Sequence, residues 1–293
     1  MKYQFMQAHA QKFSVERMSK VFKVSRSGYY HFVRAKPSQR SLDNQQLLSK
    51  IAVIHEASRQ TYGSPRVHAE LRAGGESCSR NRVCKLMRVA GIVAKMRKRF
   101  KVTTRRNPKA VAAPNLLQQN FTAESPNQRW VADFSYVATQ EGWLYVAVVL
   151  DLYSRYIVGL AMQASMTTDL VIAALQQAVT HRKPSVGLIH HSDQGSQYTS
   201  EAFKRVTKQQ GIALSMSGVG NCYDNAAAES FFHTLKTEHV YFERYETQEQ
   251  AKQSIFEYIM VFYNRKRRHS TLNYLSPVEF ENSRQQQLEG FSS

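Results

Sequence analysis

Cysteine is scarce: 293 residues hold only Cys78, Cys84 and Cys222, an odd number with no CxxC pair. That excludes a disulfide framework, and the spacing of His68, Cys78 and Cys84 does not fit a zinc site. Long apolar runs are missing as well. The longest, Trp143–Leu150, is far too short to cross a bilayer, and the opening MKYQFMQAHAQK has no apolar stretch of a secretory signal. A reduced, cytoplasmic chain is the expectation. The third shortage is acid in the first 120 residues, where 5 Asp+Glu face 25 Lys+Arg, whereas residues 121–293 hold 17 against 15. The formal net charge of +18 therefore sits in one part of the chain. Such a segment releases counterions when it meets a polyanion, which points to nucleic acid; a solvated basic tail is the alternative.

Punctuation divides that basic part. Residues 1–38 contain SVERMSKVFKVSRSGYYHFV, two short helices around a turn with Ser14 and Ser25 as caps. They form either a helix-turn-helix-like segment or a helical hairpin without function. Residues 39–94 read as a three-helix, helix-turn-helix-like DNA-binding domain. Its first helix runs from about Asp43 to Ala57, its second starts at Ser64–Pro65 with Ser64 as cap, and its third is capped by Ser79 and stops at Gly91. The third helix displays Arg80, Asn81, Arg82 and Lys85 in its first turns, residue types that read base edges and phosphates; a charged solvent face is the alternative. Residues 95–124 form a basic linker in which Arg97, Lys98, Arg99, Arg105 and Arg106 could follow a DNA backbone. A spacer without specific contacts would look the same.

From Trp130 the pattern changes. Trp130–Val137, Trp143–Leu150 and Arg155–Ala161 are strand-like and joined by hairpin-length turns. A helix over 167–182, a strand at Val186–Ile189, a helix over 200–210, a strand at Ile212–Met216 and a helix over 225–238 follow. This order predicts an α/β core with a mixed five-stranded sheet over residues 125–245. Residues 246–293 add a helix opened by Thr247 and a basic run containing Arg267 and Arg268, counted with the DNA contacts.

Three carboxylates stand out. Asp133 lies within a strand, Asp193 just past another, and Glu229 on a helix with thirty-five residues between it and Asp193. If the two strands are neighbours, both aspartates emerge together and Glu229 closes the site. Divalent metals such as Mg²⁺ prefer oxygen ligands, and two such ions can hold the attacking and leaving oxygens of a phosphoryl displacement. Lys236 follows Glu229 and His233 on one helical stripe, placed for a DNA phosphate; a solvated surface stripe is the alternative. Asp151 reads as a turn residue and Asp169 as a first-turn acid of a helix. Asp224 reads as the cap of the Glu229 helix. His190 and His191 pack or bond near the site, Gly195 permits a tight turn, and Gly218 and Gly220 suggest a loop that orders on DNA.

The runs WVAD, HSDQGSQYTS and NCYDNAAAESFFHTLK resemble the DDE integrase core. With YGSPR, VSRSGYY and YNRKRRHSTLNYLSP, the chain resembles the downstream reading-frame product of the insertion-sequence-three family of transposases. That resemblance implies a ribonuclease-H-like core and Asp133, Asp193 and Glu229 as catalytic ligands of two Mg²⁺ or Mn²⁺ ions. It implies double-stranded DNA as partner, both the terminal inverted repeats and the target. Cleavage by water, strand transfer by a 3′-OH and a circular intermediate are further implications. It also implies a bacterial, nucleoid-associated homo-oligomer on DNA, with an upstream-frame protein as possible fusion partner. No sustained heptad repeat precedes residue 40, and no His₂Cys₂ zinc module is present. A DNA-binding regulator with a non-catalytic core, and a structure-specific nuclease on the same fold, are the competing readings.

Overall fold

The computed structural model describes residues 1–34, 36–95, 113–118, 120–218 and 225–290, with side chains to residue 286. Three short helices open it: α1 (Lys2–Ala8), α2 (Val15–Phe22) and α3 (Arg26–Arg34). Sequence reading missed α1; α2 and α3 carry the expected caps, Ser14 accepting from the Arg17 N–H and Ser25 from the Gly28 N–H. Met6, Met18 and Tyr29 form their small core.

The next three helices are α4 (Gln39–Ala57), α5 (Ser64–Ala73) and α6 (Arg80–Val89). Ser79 caps α6 through the Arg82 N–H. At α5 the cap is Gly63, and Ser64 is already the first helical residue, so the helix starts one position earlier than the Ser–Pro signal suggests. Leu47, Ile51, Val67, Leu71, Val83 and Met87 bury their apolar stripes in a cluster shared with residues 131–263. Tyr62 seals that junction. It is 2% exposed, its hydroxyl accepts from the Arg268 N–H at 2.7 Å, and it donates to the Lys266 carbonyl at 3.0 Å.

The sheet has five strands: β1 (Arg129–Thr139), β2 (Gly142–Asp151), β3 (Ile157–Gln163), β4 (Ile189–Ser192) and β5 (Ala213–Met216). Their order is β3-β2-β1-β4-β5, with β1, β2 and β3 antiparallel and β4 and β5 parallel to β1. This is the ribonuclease-H-like arrangement. Helices α7 (Thr168–Arg182) and α8 (Glu201–Gln209) cover one face. There Trp130, Ala132, Leu170, Leu175 and Phe203 form one core. Gly159 on β3 has no room for a side chain, because a Cβ there would run into the Ala174 carbonyl of α7.

The other face carries α9 (Ala226–Glu238), α10 (Gln248–Glu257) and a π-helical continuation at Tyr258–Tyr263. Val131, Val137, Phe231, Phe232, Leu235, Ile255 and Ile259 fill that core. Strict alternation along β1 is what splits its side chains between the two cores. Asn264, wholly buried, grips Ile157 like a strand partner: its amide donates to the Ile157 carbonyl at 3.1 Å and accepts from the Ile157 N–H at 2.9 Å. A last helix, α11 (Pro277–Gly290), meets the end of α7, where Glu281 pairs with Arg182. Among the described residues no helix is long and apolar enough to cross a membrane.

One strand lies later than its sequence suggests. The apolar run Val186–Ile189 predicts β4, yet the strand is Ile189–Ser192. Gly187 takes a positive φ of 95°, which breaks the run. The polar residues that follow are buried instead: His191 bonds the Ser215 and Ser217 hydroxyls at 2.8 and 3.2 Å, while His190 packs between Tyr198 and Phe203.

Candidate active site

Strand β1 pairs in parallel with β4, Val131 opposite His191. The strand β4 ends at Ser192, and the same register continued two residues past the last pair leads to Asp133 and Asp193. Adjacent strands are about 4.8 Å apart, which agrees with the charge of Asp193 acting on Asp133. Each is held by its own backbone. Asp133 Oδ1 accepts from the Phe134 N–H at 2.8 Å, and Asp193 Oδ1 accepts from the Gly195 N–H at 2.9 Å. That leaves Oδ2 of each for another partner. A side chain at position 195 would crowd the second carboxylate, since a Cβ there would lie 2.9 Å from Asp193 Oδ1.

Helix α9 delivers the third carboxylate. Ala228, Phe231, Phe232 and Leu235 bury its apolar stripe against the sheet, and Glu229 stands beside that stripe, exposed. The start of the helix is tied to β1 by Asn225, which is 4% exposed and donates its amide to the Ala132 carbonyl at 3.2 Å. Ala132 immediately precedes Asp133, so one hydrogen bond joins the strand and helix that carry two of the three acids. Sequence reading missed this role. Asn225 occupies the cap position without a side-chain cap bond, and Asp224, the expected cap, lies outside the described residues, as does Gly220. At the other end Glu238 is buried against Arg267, with bonds of 2.7 and 2.6 Å, and against the Tyr258 hydroxyl at 3.1 Å.

The electrostatics match three acids crowded together. Burial, then the charge of Asp193, pushes Asp133 up to about 8, with Glu229 adding to the rise and the Phe134 N–H opposing it. Burial raises Asp193 against the Gly195 N–H, and burial followed by Asp193 raises Glu229. Lys236 is lowered by burial, with Asp133 opposing, and its Nζ lies 5.1 Å from the centre of the Tyr136 ring. Among the described residues, no three His, Cys, Asp or Glu side chains stand close enough to be a ready-made metal cage. The donor chemistry nonetheless fits a hard divalent cation. The three acids are all oxygen donors, Asp193 raises the proton affinity of Asp133 and Glu229, and a cation between them would relieve that repulsion.

The other candidates fall as follows. Asp151 is a buried turn residue, Oδ1 accepting from the Tyr153 N–H at 2.9 Å and Oδ2 from the Asn127 N–H at 2.8 Å. Asp169 lies in the first turn of α7. On α6, Arg80, Asn81 and Lys85 are exposed, whereas Arg82 donates to Asn44 at 2.9 Å. Arg97, Lys98, Arg99, Arg105 and Arg106 lie outside the described residues. Arg267 and Arg268, expected at DNA, are turned inward instead. They are 4% and 8% exposed and paired with Glu238 and Glu70 at 2.6 and 2.8 Å. A desolvated guanidinium is kept by its carboxylate, and withdrawing it would leave a buried charge unpaired.

A family profile described as integrase core domain matches residues 123–222, a second integrase core domain profile matches 229–285, and one described as HTH-like domain matches 42–100. The chain is 46% identical over 263 residues to the uncharacterized 31 kDa protein of insertion element IS600 from Shigella sonnei, covering 90% of this chain and 97% of that protein. It is 41% identical over 284 residues to transposase InsF of insertion sequence IS3A from Escherichia coli strain K12, covering 96% and 99%. The HTLV-2 integrase catalytic core domain, solved in complex with magnesium, aligns at 13% identity over 54% of this chain and 98% of that one, with a TM-score of 0.38. An alignment that loose carries no argument.

Proposed function

This chain belongs to the insertion-sequence-three family of transposases, and we propose that Asp133, Asp193 and Glu229 are the groups with which it cuts and joins DNA strands. The observation that supports the assignment is the parallel pairing of β1 with β4, whose register continued past Ser192 would set Asp133 beside Asp193, with α9 of Glu229 tied to β1 through Asn225. Integrase-type enzymes are polynucleotidyl transferases, and the reaction is an in-line phosphoryl displacement.

The three carboxylates would hold two divalent ions, Mg²⁺ or Mn²⁺, which when bound supply Lewis-acid chemistry to the attacking hydroxyl and the leaving oxygen. The protein's own part is positioning. The Phe134 and Gly195 N–H groups hold Oδ1 of each aspartate, which would leave Oδ2 of each to an ion. Asn225 sets the start of α9, and with it Glu229, against the strand of Asp133. Lys236, two turns along α9, would hold a phosphate of the strand being cut. The nucleophile is water when a strand is cleaved and a DNA 3′-OH when it is joined. Arg80, Asn81 and Lys85, exposed on α6, would contact the DNA duplex.

The test is to incubate the protein with labelled element-end DNA and Mg²⁺, with an EDTA control. Nicks at the end together with joined strand-transfer products are expected. Cutting without joining would make it a nuclease on the same fold, and binding without either would make it a regulator.

A further inference from the structure

Behind α9, on the side away from Lys236, lies a cavity of about 350 Å³ that the catalytic reading does not use. Arg66 from the first turn of α5, Arg155 from the turn between β2 and β3, and Arg267 wall it, while Ser230 and Thr271 stand at its exposed rim. These residues come from the helical part, the sheet and the C-terminal part, so only the assembled fold makes the site.

Its charges do not balance. Glu238 is the carboxylate of the group: it grips Arg267 at 2.7 and 2.6 Å and reaches Arg66 at 3.4 Å. Arg155 has no carboxylate within ion-pair distance among the described residues: its guanidinium donates to the Phe121 carbonyl at 3.3 Å, and Asp151, which pairs with Arg182, acts on it only from further off. The cations feel one another. Burial and then Arg267 lower Arg66, and His269 is held well below its ordinary range by burial and by Arg267, Arg66 and Arg155. His269 is thus neutral and adds no charge, its Nε2 lying 3.4 Å from Arg267. Half-buried guanidinium groups are retained where an anion meets them, and this cavity has one carboxylate for three.

We propose that the cavity receives a backbone phosphate of the bound DNA, alongside the strand that the α9 carboxylate helps to cut. Arg155 supplies the unmatched charge, Arg66 shares its own between Glu238 and the phosphate, and the Ser230 and Thr271 hydroxyls donate at the rim. The fork of an arginine suits two phosphate oxygens at once. The proposal rests on the reading of α9 as the catalytic helix of a DNA-cutting enzyme.

The experiment measures element-end DNA binding by the full chain against salt concentration, for wild type, Arg155→Gln, Arg155→Lys and Thr271→Asp. Each neutralised phosphate contributes about 0.9 to the slope of log affinity on log salt. Arg155→Gln should lose about 0.9 of slope and bind about tenfold more weakly near 0.1 M salt. Arg155→Lys should retain the slope. Thr271→Asp, an exposed change that puts an anion at the rim, should also weaken binding. If both Arg155→Gln and Thr271→Asp keep the wild-type slope while wild type still nicks DNA, the cavity holds no phosphate and only this proposal fails. A wild type that neither binds nor nicks DNA would remove the catalytic reading beneath it.

Discussion

Exchanging Asp133 for Asn should make the metal-free protein more stable while ending its activity. The substitution is nearly isosteric, and the Asn oxygen can still accept the Phe134 N–H that Asp133 accepts at 2.8 Å. What it removes is the cost of ionising a carboxyl held, by burial and by Asp193, at about 8 instead of 3.8. Because the folded value lies above the unfolded one, the associated stability is fully present below about pH 4 and drains away as the pH rises towards 8. At pH 7 roughly three pH units of that gap have been crossed, at about 1.4 kcal/mol each, a ceiling of about 4 kcal/mol. The side chain is partly open to solvent, and screening reduces the expected gain to about 1–3 kcal/mol. For a chain of this size that is a rise in Tm of about 2–6 °C. Thermal unfolding in EDTA at pH 5, 7 and 8 measures it. Wild type should fall behind the variant progressively with pH, and Mg²⁺ should restore wild type but not the variant. A variant that is less stable than wild type at pH 8, or a difference that does not change with pH, refutes the reasoning.

Glu238→Gln should cost about 3–5 kcal/mol, because it strips the carboxylate from buried Arg267 and from Arg66; chemical denaturation reads this directly. Asn225→Ala should leave end binding unchanged and slow cleavage about tenfold or more, since it unties α9 from Ala132; single-turnover nicking separates the two effects. The double variant Arg80→Ala, Lys85→Ala should reduce the salt slope of DNA binding by about 2, whereas no change would place those exposed side chains away from DNA.

The catalytic strands and helices were legible because their signals are local. Strand-like runs ending in hairpin-length turns mark β1 and β2, the second as a continuous apolar run, and the apolar stripe of Ala228, Phe231, Phe232 and Leu235 marks α9. Strand β4 was legible as a strand but misplaced. Its buried residues, His190, His191 and Ser192, are polar by type, and their burial is made possible by Ser215, Ser217 and aromatic rings far along the chain. Arg267 and Arg268 read as a surface charge run for the same reason. The carboxylates that draw them inward, Glu238 and Glu70, lie 29 and 198 residues away. Asn225 gave no signal at all, because one amide before a helix looks like an ordinary cap. Its bond to Ala132 exists only once α9 lies on β1. Spacing alone left the meeting of Asp133 with Asp193 conditional on two strands being neighbours, and the β1–β4 register supplies that condition.

The assignment of the three acids is tested most directly by Asp193→Asn in a nicking assay on labelled element-end DNA with Mg²⁺, alongside a binding assay on the same DNA. End binding close to wild type with no detectable nicking is the predicted result. Nicking at the wild-type rate would contradict the account.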